Sequence, residues 1–276
     1  KNISSESMSA VFIIALVSLF ILANFATGFV LSLYILVMTL SFFIALFQPR
    51  SGIYAIVFLT VIFERFFTLQ TLILGKGEYK LYPIDIILAG VFIGAVFELL
   101  SQKISEGNDG LNIIEQDGQR KLQTFELKKP DFYLVGFIVL VGIYFFVSGF
   151  ILKNDFLLAF SSFKNYVFYS LFYFLAFFLM STERYIMRLF KFLFAGAVFI
   201  ILFIVYGLLT RHGLWSDFTP LSTEGVRTLA FTHAFYLGLS FLGVFTYLVF
   251  QKNKEKSGVY FTLMLIWSLG IIGSMM

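Results

Sequence analysis

Residues 8–47 read MSAVFIIALVSLFILANFATGFVLSLYILVMTLSFFIALF, about 40 residues without a charge. As a helix rising 1.5 Å per residue the stretch would be about 60 Å long, twice the ~30 Å hydrocarbon core of a bilayer, so the chain must turn back inside it. Asn24 to Gly28 is the one segment suited to that turn. A secretory signal peptide is the rival reading of the first run, but no charged or extended segment follows Ala26.

The rest of the chain has the same character. Of 276 residues, 59% are hydrophobic and 13% charged, against roughly 45–50% and about 25% in soluble domains, and the mean hydropathy is +0.92. An ordinary soluble globule is excluded. A membrane β-barrel is disfavoured, because its strands are about ten residues long and alternate apolar with polar. Further crossings are expected at Ile53 to Leu74, Ile84 to Leu100, Phe132 to Leu152, Tyr166 to Met180, Phe190 to Leu209, Leu229 to Phe250, and from Val259 onward. The expected fold is thus all-α, a single polytopic transmembrane helical bundle over 1–276 with about nine crossings, the last incomplete. The chain begins at Lys1 and stops at Met276 within an apolar run, and is expected to be a fragment.

Numbering the connections alternately from a cytoplasmic N-terminus puts Lys1, Arg50, Lys103, Arg120, Lys121, Lys128, Lys129, Arg184, Arg188, Lys191, Lys252, Lys254 and Lys256 on one side. Lys76, Lys80, Lys153, Arg211 and Arg227 fall on the other, and Arg65 and Lys164 are ambiguous near membrane depth. Thirteen of the 20 basic residues therefore lie on the side that the positive-inside rule assigns to the cytoplasm. The polar segment 101–130 is the expected cytoplasmic loop. Asp117-Gly118 within it is a two-residue hairpin signal, and a small hairpin and a disordered linker are equally open readings. The net charge of +4 is too small to suggest nucleic acid. Zero cysteines remove thiol nucleophiles and thiolate metal sites and leave the redox compartment unread.

Ionisable residues at membrane depth are costly, so the search for chemistry starts with them. Arg227 is the clearest, in Ser222-Thr223-Glu224-Gly225-Val226-Arg227-Thr228-Leu229-Ala230-Phe231-Thr232-His233. A cap at Ser222 or Thr223 would place Arg227 near the first turn of the eighth crossing on the extracytoplasmic side. There free backbone N–H groups and the helix dipole join a guanidinium fork suited to phosphate or pyrophosphate. The plainer readings are a snorkelling arginine or a pair with Glu224. His233 lies about 240° of helical rotation further on and need not share a ligand with Arg227; hydrogen-bonded structure is its commoner use. Arg211 and His212 share an outer loop with Trp215 and Asp217. Glu64-Arg65 is another candidate, better read as structural pairing with other helices. The outer acids Glu78, Asp85, Asp155, Asp217 and Glu224 are scattered, with no ligand-like spacing, so no metal site is expected. P-loop, Rossmann, zincin and G-x-S-x-G signatures are not found.

The run Gly225-Val226-Arg227-Thr228-Leu229-Ala230-Phe231-Thr232-His233-Ala234-Phe235-Tyr236-Leu237 resembles the O-antigen ligase and O-antigen polymerase family of bacterial envelopes. Two weaker features agree: Tyr82-Pro83-Ile84-Asp85-Ile86-Ile87 opening the fourth crossing, and Lys164-Asn165-Tyr166 opening the sixth. The family's usual form around the histidine is Arg-x-x-Gly-x-Phe-x-His/Asn-Pro-Asn; here Ala230 stands for the glycine and Ala234-Phe235 for Pro-Asn. The resemblance implies an inner-membrane, inverting, metal-independent glycosyltransferase. It would use an undecaprenyl pyrophosphate-linked glycan as donor and a lipid or glycan as acceptor, without a cofactor. It also implies a further C-terminal part with a large periplasmic loop. In that setting Arg227 and Arg211 are the expected substrate-binding cations, and the general base is either an acid or histidine of the further C-terminal part or, within this chain, His233. The rival expectations are a secondary transporter or flippase for an anionic lipid or solute, and a non-catalytic membrane scaffold.

Overall fold

A computed structural model describes residues 4–63, 72–74, 79–108, 129–153, 155–180, 182–210, 231–250 and 266–267. These are almost wholly helical: α1 (Ser5–Thr27), α2 (Leu31–Phe47), α3 (Pro49–Phe63), α4 (Pro83–Asn108), α5 (Lys129–Phe146), α6 (Phe156–Leu179), α7 (Glu183–Thr210) and α8 (Phe231–Phe250). A π-helical stretch, Val147–Ile151, continues α5. Strands β1 (Leu72–Leu74) and β2 (Tyr79–Leu81) form one antiparallel hairpin pairing Leu72 with Leu81 and Leu74 with Tyr79. Among the described residues four helices are long and apolar enough to cross a membrane, at Ser5–Asn24, Pro83–Ser101, Asp131–Ile151 and Glu183–Tyr206, and Leu31–Phe47, Pro49–Phe63 and Phe235–Phe245 are shorter apolar helices. This is a membrane protein by length and composition of its helices.

The long apolar run turns where its polar residues allow. Gly28 ends α1 at φ 82° and ψ 178°, backbone open essentially to glycine alone. Its N–H donates to the Asn24 carbonyl at 2.9 Å, and the Val30 N–H donates to the buried Asn24 Oδ1 at 3.4 Å. One side chain thus ties the end of α1 to the start of α2.

Several expected crossings have other bounds: the fourth continues past Leu100 to Asn108, so the first residues of the expected 101–130 loop are helical, and the seventh begins at Glu183 and not at Phe190. The third was expected to run to Leu74, whereas the described helix is Pro49–Phe63 and Leu72–Leu74 is extended. Leu-Ile-Leu and Tyr-Lys-Leu are two short strand-like runs on either side of the glycine-containing sequence Gly75-Lys76-Gly77-Glu78, so pairing competes with a continued helix. The sixth begins at Phe156 and not at Tyr166. Asp155 starts it, accepting from the Leu158 N–H on Oδ1 at 3.3 Å and from the Ala159 N–H on its carbonyl at 3.0 Å. Lys164 therefore sits two turns inside a helix and does not open one. Likewise Arg184, Arg188 and Lys191 lie on the first turns of α7 and not in a loop.

The chain forms two compact units, 1–56 with 65–188, and 57–64 with 189–276. In the first, α4 buries Ile84, Ile87, Leu88, Val91 and Ala95, a stripe at helical spacing, against α2, which buries Tyr34, Val37, Met38 and Ala45. The other face of α4 leaves Phe92, Ile93, Val96 and Phe97 exposed. Asn24, Ser41, Ser51 and Lys164 are buried while large apolar side chains cover the outside, the arrangement that suits a lipid solvent. In the second unit Val61, Ala197, Ile200, Ile204, Leu237 and Trp267 form one core cluster. There the Gly196 backbone lies against Val61, and Phe58 meets Phe199 edge to face at 5.7 Å.

Candidate functional site

At the start of α4, Pro83 occupies a first-turn position that needs no N–H donor, and Asp85 follows in the same turn. The Asp85 N–H donates to the Tyr82 carbonyl at 3.1 Å, and Asp85 Oδ2 accepts from the Tyr82 N–H at 2.9 Å. This reciprocal pair fixes the carboxylate at the positive end of the helix. Lys164 Nζ donates to the same Oδ2 at 2.5 Å, and its ammonium lies 4.5 Å from the centre of the Tyr82 ring. The lysine side chain is 1% exposed and that of Asp85 13%. An ammonium so enclosed is held by charge pairing and by the ring face, because the desolvation of either ion alone would cost several kcal/mol. Burial, and then the nearby carboxylate, push the Tyr82 hydroxyl above its ordinary range, so it stays neutral at physiological pH.

An apolar groove of about 270 Å³ adjoins this cluster, lined by Tyr34, Met38, Phe42, Leu81 and Ile86 among others. Tyr34 Oη donates to the Leu81 carbonyl at 3.0 Å and so ties α2 to the hairpin beside the groove.

A second charged cluster lies further along α4, at Glu98 in its second half. Glu98 stands thirteen residues after Asp85, about 20 Å along the axis. Arg50 Nη2 donates to Glu98 Oε1 at 2.9 Å, Arg50 Nε to the Leu179 carbonyl at 3.2 Å, and Nη1 lies 3.6 Å from Glu6 Oε1. Arg188 Nη1 meets Glu6 Oε2 at 2.6 Å, and both guanidiniums approach the Tyr185 ring. Ser51 Oγ donates to the Glu6 carbonyl at 2.8 Å. The network joins the starts of α1, α3 and α7 to the second half of α4 and the end of α6. Arg50 and Arg188, assigned to one side from the sequence, do share one end of this unit, while Asp85 and Lys164 share the other.

Of the expected site residues, Arg211 and Arg227 lie outside the described residues, as do Glu64-Arg65 and the segment 112–127 that was read as either hairpin or linker. His233 is the third residue of α8. The two weaker features of the resemblance are brought together, since Asp85 and Lys164 meet across 79 positions of sequence. Sequence reasoning missed Glu6 and Glu98. The available signal was that each lies at the end of an apolar run on the side assigned to Arg50. Among the described residues no group of three or more His, Cys, Asp or Glu is placed to hold a metal ion.

The chain matches no protein-family model, and no curated protein or solved structure is significantly similar to it.

Proposed function

We propose that this chain is a membrane glycosyltransferase of the O-antigen ligase or polymerase type, with nine crossings and a cytoplasmic N-terminus. It transfers or polymerises an undecaprenyl pyrophosphate-linked glycan on the extracytoplasmic face of the bacterial inner membrane. The observation that supports the reading is the Asp85–Lys164 pair: two segments singled out by the resemblance meet in one buried cluster, at the end of the unit opposite the Arg50 network. An intramembrane ion pair is expensive, and function is the usual reason for one.

In this reaction an acceptor hydroxyl attacks the anomeric carbon, the bond to the lipid pyrophosphate breaks with inversion, and the hydroxyl proton passes to a base. Preorganised cations stabilise the departing charge in a water-poor site. Arg227 takes that role with Arg211 as a second cation, and His233 takes the proton. The Asp85–Lys164 pair acts by positioning, holding the start of α4 against the body of α6 beneath the donor. A second reading, a secondary transporter or flippase for an anionic lipid or solute, draws on the π-helical stretch Val147–Ile151, a break in the regular helix at the end of α5.

Arg227→Gln tests the transferase reading. With equal insertion and folding of both proteins, the variant is expected to release undecaprenyl pyrophosphate at least about a hundredfold more slowly than wild type, the scale on which lost transition-state donors are felt. Unchanged release would remove Arg227 from the site.

A further inference from the structure

We infer that the cleft beside Arg50 and Glu98 is a binding site for a phospholipid whose headgroup carries both a phosphate and a primary ammonium, as in phosphatidylethanolamine. The cleft, about 510 Å³, lies between α2, the start of α3 and α4, and its lining includes Phe47, Gln48, Arg50, Gly94, Phe97 and Glu98. That volume is in the range of small-molecule sites. At Gly94 the α4 backbone lies close against Leu46 and Pro49, which forms the inner wall of the cleft. Its rims are apolar and face outward, Phe47 being 79% and Phe97 61% exposed, so in a membrane they border acyl chains. Its polar end is closed by Gln48, Arg50 and Glu98. A site apolar toward the hydrocarbon and charged toward the water has the profile of one phospholipid lying along α4.

The charges choose the headgroup. Arg50 uses Nε for Leu179, Nη2 for Glu98 and Nη1 toward Glu6, which leaves two of its five N–H groups for a phosphate. Glu98 accepts on Oε1 from Arg50, and its Oε2 has no hydrogen-bond donor among the described residues. The cluster of Arg50, Arg188, Glu6 and Glu98 sums to zero charge, so a net anionic headgroup gains little and meets the Glu98 carboxylate. A zwitterion puts its phosphate on Arg50 and its ammonium on Glu98. The ammonium must have N–H donors to use that oxygen, which a trimethylated choline lacks. The inference does not depend on the transferase reading, because it concerns the other end of the unit.

The test is competitive lipid retention by the intact, purified chain, read by mass spectrometry. The probes are phosphatidylethanolamine, its mono- and dimethylated forms, phosphatidylcholine and phosphatidylglycerol, all with the same acyl chains. Wild type should favour phosphatidylethanolamine over phosphatidylcholine and phosphatidylglycerol by about tenfold, the worth of one charge-assisted hydrogen bond. Retention should fall stepwise as N–H groups are replaced by methyl groups. Glu98→Gln should bring the preference over phosphatidylcholine close to onefold and raise the share of phosphatidylglycerol, since it leaves the cluster net positive, and Phe97→Ala should lower retention of every class. The methylation series needs no variant, so it decides the matter even if Glu98→Gln fails to fold. Equal retention of phosphatidylethanolamine and phosphatidylcholine, or a preference for phosphatidylglycerol, would overturn the inference.

Discussion

Lys164→Met is expected to destabilise the protein by about 3–5 kcal/mol, the usual cost of removing one partner of a buried ion pair. Lys164 is among the most fully buried side chains described and shares Asp85 Oδ2 with the Tyr82 N–H. Methionine keeps the length of the stem and deletes the charge, so the carboxylate keeps one backbone donor and loses its cation. Asp85→Asn should cost a similar amount, since it removes the carboxylate charge beside a buried ammonium. The double variant Asp85→Leu with Lys164→Met should recover most of the loss, because apolar side chains of similar volume replace a buried pair at little cost. Unfolding in mild detergent, followed by the loss of the monodisperse peak on heating, measures all three. Additive losses in the double variant would show that the two residues do not act as a pair.

The second large effect is expected at Gly94. A Cβ built there falls onto the Leu46 carbonyl oxygen and lies 2.8 Å from Pro49 Cγ. One turn earlier, a Cβ on Gly90 would lie 2.7 Å from the Phe42 carbonyl oxygen and 3.2 Å from Ala45 Cβ. The nearest obstacle at each is a backbone carbonyl of α2, which cannot rotate away as a side chain can. Gly90-Val-Phe-Ile-Gly94 is thus a small-xxx-small seam through which α4 approaches α2 closely, as helices do in lipid, where packing replaces the hydrophobic drive. Gly94→Leu should cost about 3 kcal/mol or more, at the upper end of overpacking penalties, and Gly94→Ala less. The same thermal assay reads it, and an unchanged midpoint for Gly94→Leu would mean that α2 and α4 do not touch there. Gly136 and Gly142 in α5 have no atom within 4 Å of such a Cβ, so Gly136→Ala serves as the control and should be neutral or slightly stabilising.

Hydropathy made the helical membrane class legible, and the uncharged run 8–47 located the turn at Asn24 to Gly28 that the backbone adopts. It failed where polar groups are neutralised within the fold. Lys164 looked like the edge of a crossing because a charge normally marks one, yet Asp85 allows it to sit two turns inside α6. The start of that helix was set by Asp155, a capping acid whose role hydropathy does not weigh. Leu72–Leu74 looked like the end of a crossing because a short apolar run reads the same in a strand as in a helix. For the site, the resemblance named both Asp85 and Lys164, but no spacing rule connects residues 79 apart. The Gly90 and Gly94 seam was visible as a pattern and went unread because apolarity alone had already explained α4.

The most direct test of the central claim uses the wild-type chain in liposomes with an undecaprenyl pyrophosphate-linked oligosaccharide and a candidate lipid or glycan acceptor, in the presence of a metal chelator. The expected result is free undecaprenyl pyrophosphate together with glycosylated acceptor of inverted anomeric configuration, in equal amounts, and only when both substrates are present. Well-folded protein that yields neither product, and instead moves the lipid-linked glycan from one leaflet to the other, would contradict the transferase reading and establish transport in its place.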